Sequence, residues 1–135
     1  MTRLLLDTHY IIFLVADPER LRPVEHDLLE HADAPLLVSA VSIWEIRIKW
    51  EALNRFGQRK GPVSPQTALD ILKGRTDRFQ LVPLRAEQPA LPALNPPLPH
   101  GDPFDEMLLL QAEAEGARLL SRDKHLAGHP LVLTV

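Results

Sequence analysis

Apolar positions in this chain fall into short runs, each closed by a polar or turn-forming residue, and two kinds of run alternate. Leu4-Leu5-Leu6 ending at Asp7, Leu36-Leu37-Val38, and Leu119-Leu120 ending at Ser121 are continuous apolar stretches. Such runs predict short strands buried on both faces. Phe79-Gln80-Leu81-Val82-Pro83 and Leu131-Val132-Leu133 add two further strand candidates. Between them lie longer segments with helical signals. Thr8 to Ala16 is apolar enough for a helix. Asp17-Pro18-Glu19 then supplies an N-cap, a proline at the first helical position and an early acid for a second helix, running to about Ala32.

The segment around Trp44 is ambiguous at first sight. Ile46-Arg47-Ile48-Lys49-Trp50 alternates like a half-exposed strand, whereas Ile43, Ile46, Trp50 and Leu53 share one helix face. Ser42 followed by Glu45 has the spacing of a capping box, which selects helix. Residues 54–65 read as a loop broken by Gly57, Gly61 and Pro62. A helix follows from Pro65 to Arg75. The proline-rich stretch from Pro89 to Pro103 predicts a short helix end and then a stiff loop. Asp102-Pro103 opens another helix, closed by Gly116, and Asp123 to Ala127 suits one helical turn. Strand and helix alternate throughout, which predicts an α/β fold, a three-layer α/β/α sandwich on a mainly parallel central sheet.

At 135 residues the chain is expected to form one domain, residues 1–135, with a single substantial core. An apolar content of 45% is ordinary for a globular protein. No apolar run reaches the ~20 residues of a membrane span, and the opening stretch stops at Asp7 too early for a signal peptide. A cytoplasmic location is the expectation. With no cysteine, disulfides, thiolate metal sites and cysteine nucleophiles are excluded. The formal net charge of −3 does not describe a general polyanion binder, although Arg47, Lys49, Arg55, Arg59 and Lys60 form a local basic stretch.

Four acids stand at the edges of apolar segments: Asp7, Glu45, Asp105 and Asp123. Carboxylates avoid such surroundings unless something replaces their lost hydration, and a hard divalent cation with oxygen ligands does so. Ligands of open parallel sheets bind beyond the carboxyl ends of the strands. Asp7 and Asp123 each follow a predicted strand, Asp105 lies in the first turn of a helix opening on that side, and Glu45 lies one turn into the helix after the second strand. Each acid also has a purely structural use: Asp7 as a cap, Asp105 toward a helix dipole, Asp123 as a turn residue, Glu45 as a partner of Arg47 or Lys49. Mg²⁺ ordinarily takes one or two carboxylates directly and keeps several waters, so some of the four would act through water, or one would be protonated without metal. Thr8, Ser42 and Ser121 are the hydroxyls placed to orient carboxylates or water. Arg47 and Arg122 are candidates for phosphate contact. The histidines have no zinc-ligand spacing.

Taken in order, four segments resemble the PIN-domain family, and within it the ribonuclease toxins of the VapC type. They are Leu4-Leu5-Leu6-Asp7-Thr8-His9, Ser39-Ala40-Val41-Ser42-Ile43-Trp44-Glu45-Ile46, Gly101-Asp102-Pro103-Phe104-Asp105-Glu106-Met107-Leu108, and Leu119-Leu120-Ser121-Arg122-Asp123-Lys124-His125-Leu126. The 54–65 loop is longer and more basic than that pattern, and Arg47 replaces a small or apolar residue. The resemblance implies a Mg²⁺- or Mn²⁺-dependent endoribonuclease acting on RNA, with Asp7, Glu45, Asp105 and Asp123 as metal-binding and catalytic acids. It also implies a small VapB-like antitoxin partner that blocks the site, and a homodimer. Two other readings keep the fold: a PIN nuclease of RNA processing that is not a toxin, and a catalytically silent module that binds RNA or protein.

Overall fold

In the computed structural model, which describes residues 2–59, 61–99 and 101–135, the apolar runs form five strands: β1 (Arg3–Leu6), β2 (Leu36–Ser39), β3 (Phe79–Val82), β4 (Ala117–Leu120) and β5 (Val132–Leu133). They build one all-parallel sheet in the order β3-β2-β1-β4-β5. The helices are α1 (Thr8–Ala16), α2 (Pro23–Glu30), α3 (Ala40–Glu51), α4 (Pro65–Lys73) and α5 (Pro103–Ala114).

Side chains alternate across a strand, and the triplet Leu4-Leu5-Leu6 is therefore split between two cores. Leu4 and Leu6 pack with Leu36, Val38 and Leu120 against residues of α1, α2, α3 and α4. Leu5 packs with Leu37, Leu119 and Val132 against Leu108, Leu109 and Ala112 of α5. Helices thus cover both faces, as the continuous apolar runs require. Two strand neighbours of β1 connect in opposite senses along the chain, so a topological switch point lies between β1 and β4. That is where an open α/β sheet leaves a crevice for ligands.

Several local expectations change. The helix foreseen from Asp17 to Ala32 is interrupted: a short 3-10 turn covers Pro18–Arg20, Leu21 is extended, and α2 restarts at Pro23. Proline disfavours helical geometry in the residue before it, and Arg22 is accordingly extended; Asp17 makes no side-chain cap bond. The cap of α3 is Ser39, whose hydroxyl accepts from Val41 N at 2.9 Å, not Ser42, which is released for another task. Residues 86–90 form a turn, the described residues from there to Asp102 are bends and irregular chain with no helix among them, and residues 124–128 form turns. Lys60 and His100 lie outside the described residues. Asp102 caps α5, accepting from Phe104 N at 2.9 Å and Asp105 N at 3.3 Å. Gly116, with φ of 63°, closes that helix in a conformation that favours glycine.

A buried polar group ties α5 to the sheet. Gln111, fully buried, accepts a hydrogen bond from Ser39, the cap of α3. Its amide donates to Gln88 Oε1 at 3.0 Å and to Pro83 O at 3.3 Å. Leaving such partners unsatisfied costs about 1–3 kcal/mol. We therefore expect Gln111→Leu to lower unfolding free energy by about 2 kcal/mol in denaturant titration, although it adds apolar surface to the core.

Candidate active site

Asp7 is the first residue after β1 and the cap of α1. Its amide continues the β1–β4 ladder by donating to Leu120 O at 3.0 Å, which brings its side chain to Ser121. The carboxylate is only 6% exposed. Oδ1 accepts from Thr8 N at 2.7 Å, the capping bond, and Oδ2 accepts from the Ser121 hydroxyl at 2.6 Å. Ser121 Oγ also accepts from Asp123 N at 3.0 Å. One hydroxyl thus links the first acid to the backbone of the fourth.

Glu45 is reached from the opposite side. It lies in the second turn of α3, half-buried, and the Thr8 hydroxyl donates to its Oε1 at 2.6 Å. Thr8 Oγ1 is also 3.0 Å from the buried Ser42 Oγ. The other carboxylate oxygen of Glu45 is 3.6 Å from Lys49 Nζ. Thr8, Ser42 and Ser121 are therefore all engaged with the acids or their neighbours.

Asp105 sits in the first turn of α5. Burial, followed by the negative charges of Asp102, Asp7, Asp123 and Glu45, pushes its pKa up to about 7. The four candidate acids share one electrostatic field, in which Asp102 is the charge acting most strongly on Asp105. Burial also raises Asp7, against the lowering effect of its Ser121 bond, while Glu45 adds a small raising contribution. Among the described residues, Asp7, Asp105 and Asp123 have no ion-pair partner, and Lys49 is the one ammonium paired with the group. The donors are oxygens whose negative charge is offset by ion pairing at Glu45 alone among the described residues, a set that fits a hard divalent cation. Among the described residues, no group of three or more acids and histidines is drawn together into a metal-holding arrangement.

The two candidate phosphate contacts part company. Arg47 is exposed on α3. Arg122 is instead turned into an internal ion pair: its Nε donates to Glu25 Oε2 at 2.6 Å and its Nη2 to Glu25 Oε1 and to Arg20 O. The sequence reading missed Glu25, which is fully buried. The only signal for it was its place three residues after Arg22 and two after Pro23.

With this geometry in view, comparison with known proteins becomes informative. Residues 4–129 match the PIN domain, and the chain belongs to the PIN-domain family. Ribonuclease VapC22 of Mycobacterium tuberculosis (strain ATCC 25618 / H37Rv) is 31% identical over 129 residues, covering 96% of this chain and 93% of the relative, so the VapC-type resemblance of the four motifs holds. The fold also superposes on a toxin–antitoxin complex from Klebsiella pneumoniae, with a TM-score of 0.62 at 22% identity over 97% of this chain and 96% of that one. DNA-bound VapBC from Salmonella typhimurium gives a TM-score of 0.60 at 14% identity over 100% and 98% of the two chains. At these identities the agreement is one of fold.

The raised pKa of Asp105 has a measurable sign. A carboxyl whose folded pKa lies near 7, above its ordinary 3.8, destabilises the fold when ionised, and that penalty is relieved as pH falls between these values. In chelator, the melting temperature should therefore rise from pH 8 to pH 5. Asp105→Asn should remove most of that rise, and Asp123→Asn should reduce it.

Proposed function

We propose that this chain is a Mg²⁺- or Mn²⁺-dependent endoribonuclease and the toxin of a toxin–antitoxin pair. The observation that supports this reading is that the charges of Asp7, Asp123 and Glu45, from separate elements around the switch point of the sheet, all act on Asp105. The 31% identity to a protein named as a ribonuclease supports the same activity here. Structural neighbours solved as VapBC complexes support a small VapB-like antitoxin as partner.

Asp7, Glu45, Asp105 and Asp123 would hold the cation, directly or through water. When bound, it supplies positive charge that acidifies water and offsets charge on the phosphate oxygens. Everything else is done by the chain. Ser121 and the Thr8 amide fix both oxygens of Asp7, and Thr8 fixes one oxygen of Glu45. A carboxylate of the set would accept the proton of the attacking water as the water oxygen bonds to phosphorus. The P–O3′ bond breaks and the leaving oxygen takes a proton, giving a 5′-phosphate and a 3′-hydroxyl. Arg47, exposed on α3, and Arg55, exposed in the following loop, would meet the RNA backbone, while Arg59 is paired with Glu51 at 3.1 Å.

Beside the acids, Trp44 (58% exposed) stands 5.2 Å, ring to ring, from Phe104, and Ile48 and Leu84 are also exposed. This apolar face suits the homodimer that the reading includes. No helix among the described residues is long and apolar enough to cross a membrane.

The test is cleavage of a mixed cellular RNA pool by purified, antitoxin-free protein. Discrete cuts should appear with Mg²⁺ or Mn²⁺, disappear with chelator, and be absent for Asp7→Asn. Ser121→Ala, which keeps every acid, should reduce the rate by about 10- to 100-fold. Equal cutting by the parent and by Asp7→Asn would defeat the reading.

A further inference from the structure

We propose that Arg122 and Glu25 are positioning residues: the ion pair of half-buried Arg122 with buried Glu25 fixes the segment after β4 and so holds Asp123 within the acid cluster. The inference rests on the ribonuclease reading but uses residues outside the four acids.

Residues 121–123 are three consecutive positions with two separate long-range anchors, while the Asp123 amide is held locally by Ser121 Oγ at 3.0 Å. Ser121 is bound to Asp7, Asp123 carries the candidate metal-binding carboxylate, and Arg122 between them is tied to another part of the molecule. Its guanidinium lies 4.7 Å from the Phe13 ring centroid and 5.7 Å from that of Tyr10, both residues of α1, the helix capped by Asp7. Glu25 receives that guanidinium together with the Tyr10 hydroxyl, the Arg22 backbone amide at 2.8 Å and the Arg22 side chain at 3.3 Å. Burial alone would raise the pKa of Glu25, but hydrogen bonds from Arg122, Arg22 and Tyr10 outweigh it and hold the carboxyl ionised, well below its ordinary range.

With Glu25 buried and Arg122 half-buried, desolvation of the carboxylate offsets much of the attraction, so the pair is an inefficient source of stability. Its advantage is geometric. A planar guanidinium forked onto a carboxylate admits few orientations. Here the fork grips the one residue that separates Ser121 from Asp123. The loop cannot slide toward or away from Asp7 without breaking either the Ser121 bond or the fork.

The same carboxylate supplies an internal control. Arg22 also pairs with Glu25, at 3.3 Å, but its other bond goes to Val135 O at 2.6 Å, and it adjoins no candidate acid. If Glu25 merely stabilises the fold, loss of either arginine should act alike. If it positions Asp123, only Arg122 should matter to the site.

The experiment compares Arg122→Gln, Arg122→Lys and Arg22→Gln in the full chain. It reads melting temperature, amide hydrogen exchange at 121–127, Mn²⁺ affinity, and kcat and KM on a cleaved RNA. Arg122→Gln should remain folded, exchange faster at 121–127, and lose about tenfold or more in Mn²⁺ affinity and kcat, with KM near that of the parent. Arg122→Lys, which keeps the charge facing Glu25, should recover part of this loss, and it carries the test if the glutamine variant does not fold. Arg22→Gln should lower the melting temperature and leave Mn²⁺ affinity and kcat near parental values.

The proposal is overturned if folded Arg122 variants bind Mn²⁺ and turn over like the parent. It is equally overturned if Arg22→Gln reduces kcat and Mn²⁺ affinity as much as Arg122→Gln. A parent that neither binds Mn²⁺ nor cuts RNA defeats the ribonuclease reading instead. Exchange at 121–127 then still decides whether Arg122 fixes this segment.

Discussion

A carboxylate at the end of a central strand is enclosed by everything that packs around the sheet, and Asp7 occupies that position. Two features make its burial tolerable: the first amide of α1 and the hydroxyl of Ser121. Both follow from strand pairing. Because Leu6 is in register with Leu120, the next residue of each strand must meet, and these are Asp7 and Ser121. The pairing of β1 with β4 therefore fixes the position of the first acid, the path of the chain toward Asp123, and the crevice between them. Thr8, the next residue after Asp7, then carries the same order across to α3 through its bond to Glu45.

The molecule handles buried negative charge in two opposite ways. Glu25, though inaccessible to solvent, is surrounded by donors from Arg122, Arg22 and Tyr10 and stays ionised. Asp105 is burdened by its neighbours rather than relieved by them, and its affinity for protons rises accordingly. Compensation inside the chain marks a carboxylate whose work is structural or positional. Absence of compensation leaves charge available to something from outside. Lys49 is a partial exception, paired with one oxygen of Glu45, and an arriving cation would compete with it.

Much of this arrangement was legible in the sequence, for definite reasons. Continuous apolar runs such as Leu4-Leu5-Leu6 admit only strands covered on both faces, and Asp102-Pro103 with Gly116 bracketed α5 through cap and stop chemistry. The acids were visible because charge beside apolar runs is costly. What escaped depends on partners distant in the chain. The Ser42–Glu45 spacing suggested a local cap, yet Ser39 caps the helix and Ser42 meets Thr8, 34 residues away. Arg122 looked like a phosphate contact because nothing local indicated that Glu25, 97 residues earlier, would receive it. The break at Pro23 was recognisable in principle, but the Asp17-Pro18-Glu19 signal masked it.

Strand order also imposes a schedule on synthesis. The centre of the sheet is made first, but one neighbour of β1 is β4, which lies beyond α5 in the chain. A nascent chain that has completed β3 carries Asp7 and Glu45, yet it lacks Asp105, Asp123 and the β4–Ser121 segment whose pairing with β1 fixes Asp7. On the ribonuclease reading, a chain made on a machine built of RNA would lack its full set of candidate acids until β4 and the segment after it have been made.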